Sequence, residues 1–301
     1  MIAAKTVLVT GSRGFLGKKL VNKLNAKKYI VKEFDFDEGQ DIRNKEQIMQ
    51  AVKGVHVVLH LAAILDENSK ELFEVNVNGT RNVCEACEKE KAKLVFLSSV
   101  GVYGDFNGTA NESSPLNPIT PYEKSKLESE KIVLNFQETI EVTVVRSALV
   151  LGANNSWKKI ISMIRKGFPL IGSGNNSFQL IYVDELVQAI VFLMEKQWES
   201  GEIFNVAEKE IHSLKEVIGF FREEIGMKGN IFSIPVFIAM PFAAVYSFIA
   251  KLLGKKTFFE PVYIKRLIKN RAYSIAKLES IGWRPMYSTR AAMKETLKGV
   301  E

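Results

Sequence analysis

Residues 5–24 read KTVLVTGSRGFLGKKLVNKL, and this stretch decides the fold. The run TVLVT is rich in β-branched residues, which predicts a short buried parallel strand. Gly11, Gly14 and Gly17 follow at G-x-x-G-x-x-G spacing. Glycine permits a tight turn, a close approach of backbone N–H groups to a pyrophosphate, and packing of the next helix on the strand. The stretch therefore predicts a strand, a phosphate-binding loop and a helix whose N-terminus attracts an anion.

The surroundings of the loop favour a dinucleotide site over an ordinary turn. An amphipathic helix follows, with apolar residues at Leu16, Leu20, Val21 and Leu24. An acid, Asp35, ends the next apolar run 18 residues beyond Gly17. The offset is close to the ~20 residues expected for a carboxylate that binds the adenosine ribose.

Composition places the chain among ordinary globular proteins. Of its 301 residues, 47% are hydrophobic and 25% charged, which is enough for one large domain or a domain with a smaller lobe. Cys84 and Cys87 form a C-x-x-C in a helical pattern, which favours two buried helix residues over a redox pair. His56, His60 and His212 do not gather into a metal constellation, so no metal site is predicted. No secretory signal precedes the first strand, and we expect a cytoplasmic protein.

The first half of the chain alternates strand and helix. Strands are predicted at 29–34, 55–61, 94–99 and 142–149, and helices at 41–52, 72–90 and 122–136. Right-handed crossovers make a doubly wound parallel sheet of the Rossmann type the economical α/β topology. The carboxyl ends of the strands are then the expected place for a cofactor and for catalytic residues.

Polar residues suited to proton transfer occur at two such places. Ser98 and Ser99 end a predicted strand, and Tyr122 and Lys126 lie four apart on one face of a helix. A phenol has a pKa of about 10 and needs a neighbouring cation to act as a base near neutrality. We predict that Lys126 supplies this charge, that Tyr122 moves the proton, and that Ser99 orients the substrate oxygen.

The ordered motifs resemble those of the extended short-chain dehydrogenase/reductase family, also called the NAD-dependent epimerase/dehydratase family. The segments that carry the resemblance are TGSRGFLG (10–17), DI (41–42), HLAA (60–63), NVNGT (76–80), SSVGVYG (98–104), YEKSK (122–126), VRSALVLG (145–152), YVDELVQAI (182–190), FNVA (204–207) and IGWRP (281–285). The resemblance implies catalysis by Ser99, Tyr122 and Lys126. It implies that the cofactor is bound by Gly11, Arg13, Gly14, Phe15, Leu16, Gly17, Asp35, Asp41, Ile42, Leu61, Ala62, Ala63, Asn76, Tyr122 and Lys126.

The resemblance also implies an organisation into two parts. Residues 1–150, with 178–208 returning to them, form the NAD-binding Rossmann domain. Residues 151–177 and 209–301 form a smaller, mostly helical substrate-binding lobe. A homodimer through the helices at 72–90 and 122–136 is expected.

Two departures from the family pattern bear on the substrate. The run before YVD reads FQL at 178–180 where nucleotide-sugar enzymes carry an arginine, and the later RP-x-D segment is missing, although Arg266 or Arg271 could serve instead. We therefore expect an oxidoreductase acting on an apolar secondary alcohol or ketone of hydroxysteroid or dihydroflavonol type. The alternatives are a nucleotide-sugar epimerase or dehydratase similar to UDP-glucose 4-epimerase, and a non-catalytic NAD(P)-sensing protein.

The segment 231–250 has no charged residue across 20 positions and contains Pro235 and Pro241. A strand IFSIP followed by a helix from Pro241 is the preferred interpretation. A transmembrane span, a membrane-surface or substrate lid, and plain core or oligomer packing are the alternatives. The region 231–256 is the candidate for a peripheral membrane contact.

Charge is unevenly distributed along the chain. From Lys251 to Lys277 there are eight basic residues and one acid, a sum of +7 that equals the net charge of the whole chain. This segment is read as a solvated face, as a surface for anionic lipid, or as a site for an anionic group of the substrate. No aromatic-interleaved groove accompanies the charge, and nucleic-acid binding is not predicted.

Cofactor choice depends on two neighbours of the glycine loop. Asp35 repels a 2′-phosphate and favours NAD. Arg13 could instead bind the 2′-phosphate of NADP. NAD is predicted, with NADP as the alternative.

Overall fold

The computed structural model describes residues 5–196, 199–254, 257 and 260–300. In chain order the strands are β1 (Thr6–Thr10), β2 (Ile30–Phe34), β3 (Val57–His60), β4 (Lys93–Ser99), β5 (Val142–Ser147), β6 (Leu149–Leu151), β7 (Leu170–Ile171), β8 (Leu180–Tyr182), β9 (Glu202–Val206) and β10 (Ser233–Ile234). The helices are α1 (Phe15–Ala26), α2 (Lys45–Val52), α3 (Thr80–Glu90), α4 (Pro121–Leu134), α5 (Asn155–Arg165), α6 (Val183–Glu195), α7 (Leu214–Glu224), α8 (Val236–Leu252), α9 (Pro261–Leu267), α10 (Ala276–Ser280) and α11 (Thr289–Lys298).

The main sheet has six parallel strands in the order β2-β1-β3-β4-β5-β9. Strands β3 and β5 are buried along their whole length, as parallel strands covered on both faces must be. The order reverses between β1 and β3, and such a switch point opens a crevice at the carboxyl ends of the strands. The predicted doubly wound parallel sheet is confirmed.

Helices cover both faces of the sheet and bury two separate cores. On one face, apolar residues of α1 and α6 pack on β1, β3 and β5. On the other face, α2, α3 and α4 pack on the same sheet. This arrangement leaves the carboxyl edge of the strands free for a binding site.

The rest of the chain caps that edge. It contains two short parallel pairs, β6 with β8 and β7 with β10, and the helices α5, α7, α8, α9 and α11. Its largest core brings Trp157, Phe221 and Met293 together. The capping part is mostly helical, as expected.

Two predicted elements have different bounds in the structure. The helix predicted at 41–52 begins at Lys45, because the Asn44 side chain accepts the amide N–H of Gln47 and caps the helix there. The strand predicted at 142–149 is divided, because β5 ends at Ser147 and the next residues pair with β8 instead. The helix predicted at 72–90 keeps these bounds, but its segment Glu74–Gly79, before α3, is π-helical.

The helix predicted from Pro241 begins earlier. The pairing of β10 with β7 ends at Ile234, and Pro235 follows as the N-cap of α8. Pro241 lies inside this helix, where its missing N–H leaves the carbonyl of Phe237 without a helical donor. The predicted start of this helix at Pro241 was therefore wrong.

Two features of the described residues concern the sequence alternatives. Cys84 and Cys87 are free and buried, and burial raises the pKa of Cys84 to about 12 and the pKa of Cys87 well above its ordinary value, which keeps both as thiols. In the described part of the chain no helix has the length and apolar character needed to cross a membrane.

Candidate active site

A cavity of about 1010 Å³ lies at the carboxyl edge of the main sheet, beneath the capping part. It is lined by the loops after β1, β2, β3 and β4, by the start of α4, and by residues 266–271. All but one of the residues predicted to bind the cofactor line it, as do the three predicted catalytic residues. The exception is Asn76.

The glycine loop forms the floor of one end of the cavity. Gly11 has a φ of +72°, and a Cβ there would lie 2.8 Å from the amide nitrogen of Ala62. A Cβ on Gly17 would lie 2.0 Å from the carbonyl oxygen of Gly11, so only glycine allows α1 to pack this closely. Gly14 caps α1 without any side-chain acceptor for the first helical N–H groups. These features fit a pyrophosphate at the start of α1.

Asp35 follows β2 and lines the same end of the cavity. Its two carboxylate oxygens accept the amide N–H groups of Arg13, at 2.7 Å, and Asp37, at 3.0 Å. The Arg13 guanidinium turns to Glu38, at 2.9 Å, and Glu33, at 3.5 Å. Because Arg13 is engaged by carboxylates, this end of the cavity favours a 2′-hydroxyl over a 2′-phosphate.

Asp41 and Arg43, which also line the cavity, belong to a second ionic cluster. The Asp41 carboxylate accepts hydrogen bonds from Nε and Nη2 of Arg43, which lowers the pKa of Asp41, and Arg43 also donates to Glu71 at 2.6 Å. Ile42 is buried against Gly79, where a Cβ would lie 2.6 Å from its side chain. This packing fixes the wall that Asp41 and Ile42 present to the cavity.

Asn76 and His60 support the loop after β3 from behind. The Asn76 amide binds both backbone groups of Ile64 and donates to the hydroxyl of Ser125. His60 bonds the hydroxyls of Thr10 and Thr80, and burial lowers its pKa to about 3, which keeps the ring neutral. Asn76 is therefore placed to position residues 61–64 rather than to touch a cofactor, because its polar atoms are already used.

The two serines at the end of β4 point in opposite directions, as successive strand residues do. Ser98 turns inward and donates to Glu130, which also pairs with the buried Arg146 at 2.8 Å. Ser99 faces the cavity, and its hydroxyl accepts the amide N–H of Gly101 at 3.0 Å. Of the two, only Ser99 is placed to meet a substrate oxygen.

The start of α4 is fixed by its N-terminal capping. Thr120 and Glu123 exchange hydrogen bonds in a capping box, and Pro121 takes the first helical position. Tyr122 and Lys126 then face the cavity one helical turn apart. Lys126 is buried, and its Nζ lies 4.3 Å from the centre of the Phe96 ring. The spacing predicted from the sequence is thus realised on a rigid helix.

The electrostatics of this pair differ from the sequence expectation. Burial raises the pKa of Tyr122 to about 12; the Arg266 guanidinium opposes this rise, and the carboxylates of Glu67 and Glu123 add to it. Burial lowers the pKa of Lys126 to about 7, against the attraction of Glu130. Lys126 was expected to be the cation beside the phenol; Arg266 is the cation whose charge lowers the pKa of Tyr122 here, and the role of Lys126 stays a prediction.

The opposite end of the cavity is basic. Arg266, Lys269 and Arg271 all line it. Arg266 pairs with Glu67 at 3.0 Å, and Lys269 pairs with Glu123 at 3.3 Å. Arg271 stacks on the Phe178 ring at 5.0 Å and donates to the carbonyl of Arg266, and among the described residues it has no carboxylate partner. Burial lowers the pKa of Arg271 from its ordinary value.

The sequence analysis missed Lys269 and the role of Gln179. Gln179 is buried, donates to the backbone of Glu208 and accepts the amide N–H of Tyr273, and so holds the segment after Arg271 against β8. The sequence feature that could have pointed to Lys269 is the basic segment 251–277, in which it lies. The segment did not reveal that three of its cations, Arg266, Lys269 and Arg271, face one cavity.

Comparison with known proteins gives one family and a range of activities. The profile of the NAD dependent epimerase/dehydratase family matches residues 7–207. An N-acetyl-alpha-D-glucosaminyl-diphospho-ditrans,octacis-undecaprenol 4-epimerase of Escherichia coli O157:H7 is 25% identical over 97% of this chain and 94% of its own length. A sterol-4-alpha-carboxylate 3-dehydrogenase, decarboxylating, of Mus musculus is 26% identical over 98% of this chain and 91% of its own length. The structure of a UDP-glucose 4-epimerase from Thermotoga maritima superposes with a TM-score of 0.78 at 21% identity, covering 98% of each chain, and shows the same fold.

Proposed function

Because the chain belongs to the NAD-dependent epimerase/dehydratase family and is thereby an NAD-dependent enzyme, we propose that it transfers hydride at a secondary alcohol carbon of a sugar that is linked to a diphosphate. The observation that carries the substrate class is the basic end of the cavity. We therefore rank the nucleotide-sugar type of substrate, which was the alternative in the sequence analysis, above an apolar steroid or flavonoid.

Arg271 is the strongest argument for an anionic group. Arg271 is partly buried, and a partly desolvated guanidinium is normally paired with an anion. Arg271 lies beside Arg266 and Lys269, so a diphosphate would meet three cations at this end. The planar guanidinium groups suit bidentate bonds to phosphate oxygens. The FQL run at 178–180 lacks the arginine of nucleotide-sugar enzymes, and it had therefore argued against such phosphate-binding charges.

The known relatives support a sugar diphosphate as substrate, but they do not determine which carrier group the diphosphate joins to the sugar. The relative from Escherichia coli acts, by its name, on a sugar joined through a diphosphate to a polyprenol. A nucleoside diphosphate would offer the same diphosphate to the same residues. The shared chemistry is a sugar diphosphate ester, and the carrier is left to experiment.

The catalytic roles follow from position and are proposed residue by residue. Ser99 donates a hydrogen bond to the substrate oxygen, and Tyr122 takes the hydroxyl proton as hydride leaves the carbon. NAD, when bound, supplies the hydride acceptor. Arg266 favours the phenolate of Tyr122, and Lys126 adds to this whenever it is protonated. Return of the hydride to the opposite face of the same carbon gives the epimer with no net oxidation.

The cofactor is proposed to lie across the switch point of the sheet. The residues that would hold it are the glycine loop at its pyrophosphate, Asp35 at its ribose, and Leu61–Ala63 near its nicotinamide. Asn76 is proposed only as support for that last segment. The engagement of Arg13 by two carboxylates supports NAD over NADP.

A sterol alcohol is the second candidate. The relative from Mus musculus acts, by its name, on a sterol carboxylate, whose carboxylate could also meet Arg271. The two candidates differ in outcome, because a decarboxylating dehydrogenase accumulates NADH and carbon dioxide whereas an epimerase does neither.

The test offers the purified enzyme three substrates in the presence of NAD. They are UDP-N-acetylglucosamine, N-acetylglucosaminyl diphospho-undecaprenol in detergent, and a 4-carboxy-3β-hydroxysterol. We expect the C4 epimer of one of the two diphosphate substrates, with deuterium placed at C4 retained in the product. Turnover of the sterol alone, with accumulation of NADH, would overturn the proposal.

Organisation and assembly stay proposals. We propose the division into 1–150 with 178–208, and 151–177 with 209–301, because β9 joins the main sheet whereas α7, α8 and α9 belong to the cap. A homodimer through the helices at 72–90 and 122–136 and a cytoplasmic location are kept as predictions. Sedimentation velocity tests the dimer.

A further inference from the structure

Helix α8 buries its small side chains and exposes its large apolar ones, which is the reverse of the usual packing in a globular domain. The face that it buries carries the small residues Ala239, Ala243, Ser247 and Ala250, which recur at helical spacing. These residues pack on α9 around Ile264. An amphipathic helix of a globular domain ordinarily turns its large apolar side chains toward the core. Here the core receives the small ones.

The large apolar side chains of α8 are exposed to solvent. Phe237 is 78% exposed and Leu252 is 72% exposed, and the same surface carries Ile238, Val245, Phe248, Ile249 and Leu253, each about half exposed or more. At about 100° per residue these positions share roughly half the circumference of the helix, opposite the small residues. Phe232, on the chain just before β10, is 72% exposed. A contiguous apolar surface of this kind marks an interaction site.

The charged residues of the segment 225–259, which contains α8, are all basic. Residues 225–259 contain no Asp or Glu, whereas Lys228, Lys251, Lys255 and Lys256 lie in the same stretch of sequence. In the structure Lys228 and Lys251 are exposed, as is Lys265 on the neighbouring α9. An apolar helix face flanked by lysines is complementary to a bilayer that contains anionic lipid, because the side chains enter the acyl boundary while the lysines meet the headgroups.

We propose that the exposed face of α8 is a docking surface for an anionic lipid bilayer, on which the helix lies in the plane of the interface. A second copy of the chain fits less well, because a two-fold contact through α8 would bring the same lysines of both copies together. This proposal goes beyond the proposed reaction and does not depend on it.

The docking surface lies close to the basic end of the cavity. Helix α9 packs on α8 and carries Arg266, which lines the cavity. A Cβ on Gly172 would lie 3.2 Å from Val236 of α8 and 3.5 Å from Ile268, the residue after α9. Helix α9 therefore links the proposed lipid surface to the cations of the cavity. A bilayer at α8 would bring the anion-binding end of the cavity close to the headgroup layer.

The test is flotation of the full chain with vesicles of phosphatidylcholine, with and without phosphatidylglycerol. We expect the wild-type protein to float with the mixed vesicles and much less with phosphatidylcholine alone. Phe237→Ser/Leu252→Ser should lower the partition coefficient more than tenfold, because it removes two large apolar side chains that would leave water on binding. Lys251→Glu/Lys265→Glu should abolish the preference for phosphatidylglycerol.

The matched control is Ile30→Ser/Met286→Ser, which removes two side chains that are 53% and 71% exposed outside the cap helix. It should float as the wild type does. Circular dichroism and NAD binding establish that every variant is folded. The proposal is overturned if the wild type does not float, or if the control loses as much binding as the α8 variant. It is also overturned if Phe237→Ser/Leu252→Ser only converts a lipid-independent dimer to a monomer in sedimentation velocity.

Discussion

The two ends of the cavity are built in opposite ways. At the glycine-loop end, Arg13 is paired with acids and Asp35 accepts backbone N–H groups, so both charges have partners within the protein. At the other end Arg266 and Lys269 are paired with Glu67 and Glu123, and Arg271 has no carboxylate partner among the described residues, which leaves one uncompensated cation. A balanced site suits a cofactor that keeps its place, whereas an excess of positive charge suits a substrate that brings its own anion.

Tyr122 lies where the two ends meet, and its removal should have the largest effect. Tyr122→Phe deletes the hydroxyl that moves the proton, and turnover should fall roughly a thousandfold or more. NAD affinity, measured by calorimetry, should stay within a factor of about two. Tyr287→Phe, at a tyrosine whose ring packs against that of Tyr182 outside the cavity, is the control and should retain activity. Retained turnover in Tyr122→Phe would refute the catalytic role.

Arg271 provides the sharpest separation of the two ends. Arg271→Met should raise the KM for a sugar diphosphate by about tenfold to a hundredfold, because a charge-assisted hydrogen bond contributes about 1.5–3 kcal/mol. NAD affinity should not change, and Arg271→Lys should give an intermediate KM. Arg290, stacked on Phe220 and paired with Glu223 at the surface, offers the matched control in Arg290→Met. Equal losses of NAD and substrate affinity would show that the two ends are not independent.

Asp35 tests the other end. Asp35→Ala should narrow the preference for NAD over NADP by roughly tenfold, since it removes the carboxylate that repels a 2′-phosphate. Steady-state kinetics with both cofactors gives the ratio, and the KM for the substrate should be unchanged. Asp105→Ala serves as the control because Asp105 is exposed and does not line the cavity. An unchanged cofactor ratio in Asp35→Ala would remove Asp35 from the ribose site.

The contrast also explains what the sequence could predict. Gly11, Asp35 and Ala62 follow strands β1, β2 and β3, and the carboxyl ends of parallel strands meet at one edge, so local patterns were enough to bring them together. Phe178 and Arg271 are joined by a β-bridge between distant segments, which no local periodicity reveals. Asn76 was assigned to the cofactor from its motif, but its hydrogen-bond partners depend on the π-helical turn around it.

The burial of individual side chains could not be predicted from the sequence either. The spacing of Tyr122 and Lys126 predicted their shared face, but the protonation of Lys126 depends on how many apolar neighbours enclose it. The same holds for α8, whose apolar composition was evident while its inverted packing was not. Composition is the same whether the large side chains point inward or outward, and only the packing on α9 decides it.

The smallest expected effect concerns stability and pH. Folded Lys126 has a pKa of about 7, whereas an unfolded lysine loses its proton near ~10.4. Between these values the unfolded chain binds more protons, so the free energy of unfolding rises with pH. Lys126→Met abolishes this dependence, and we expect the variant to gain stability over the wild type at pH ~7 and to lose about 1–2 kcal/mol of that gain by pH ~9. Urea denaturation of the cofactor-free protein at both pH values measures the difference. Lys124→Met, at an exposed lysine of the same helix, should show no such change. If the two variants behave alike, Lys126 is charged throughout this range, and the phenolate of Tyr122 has a permanent cation at each side rather than Arg266 alone.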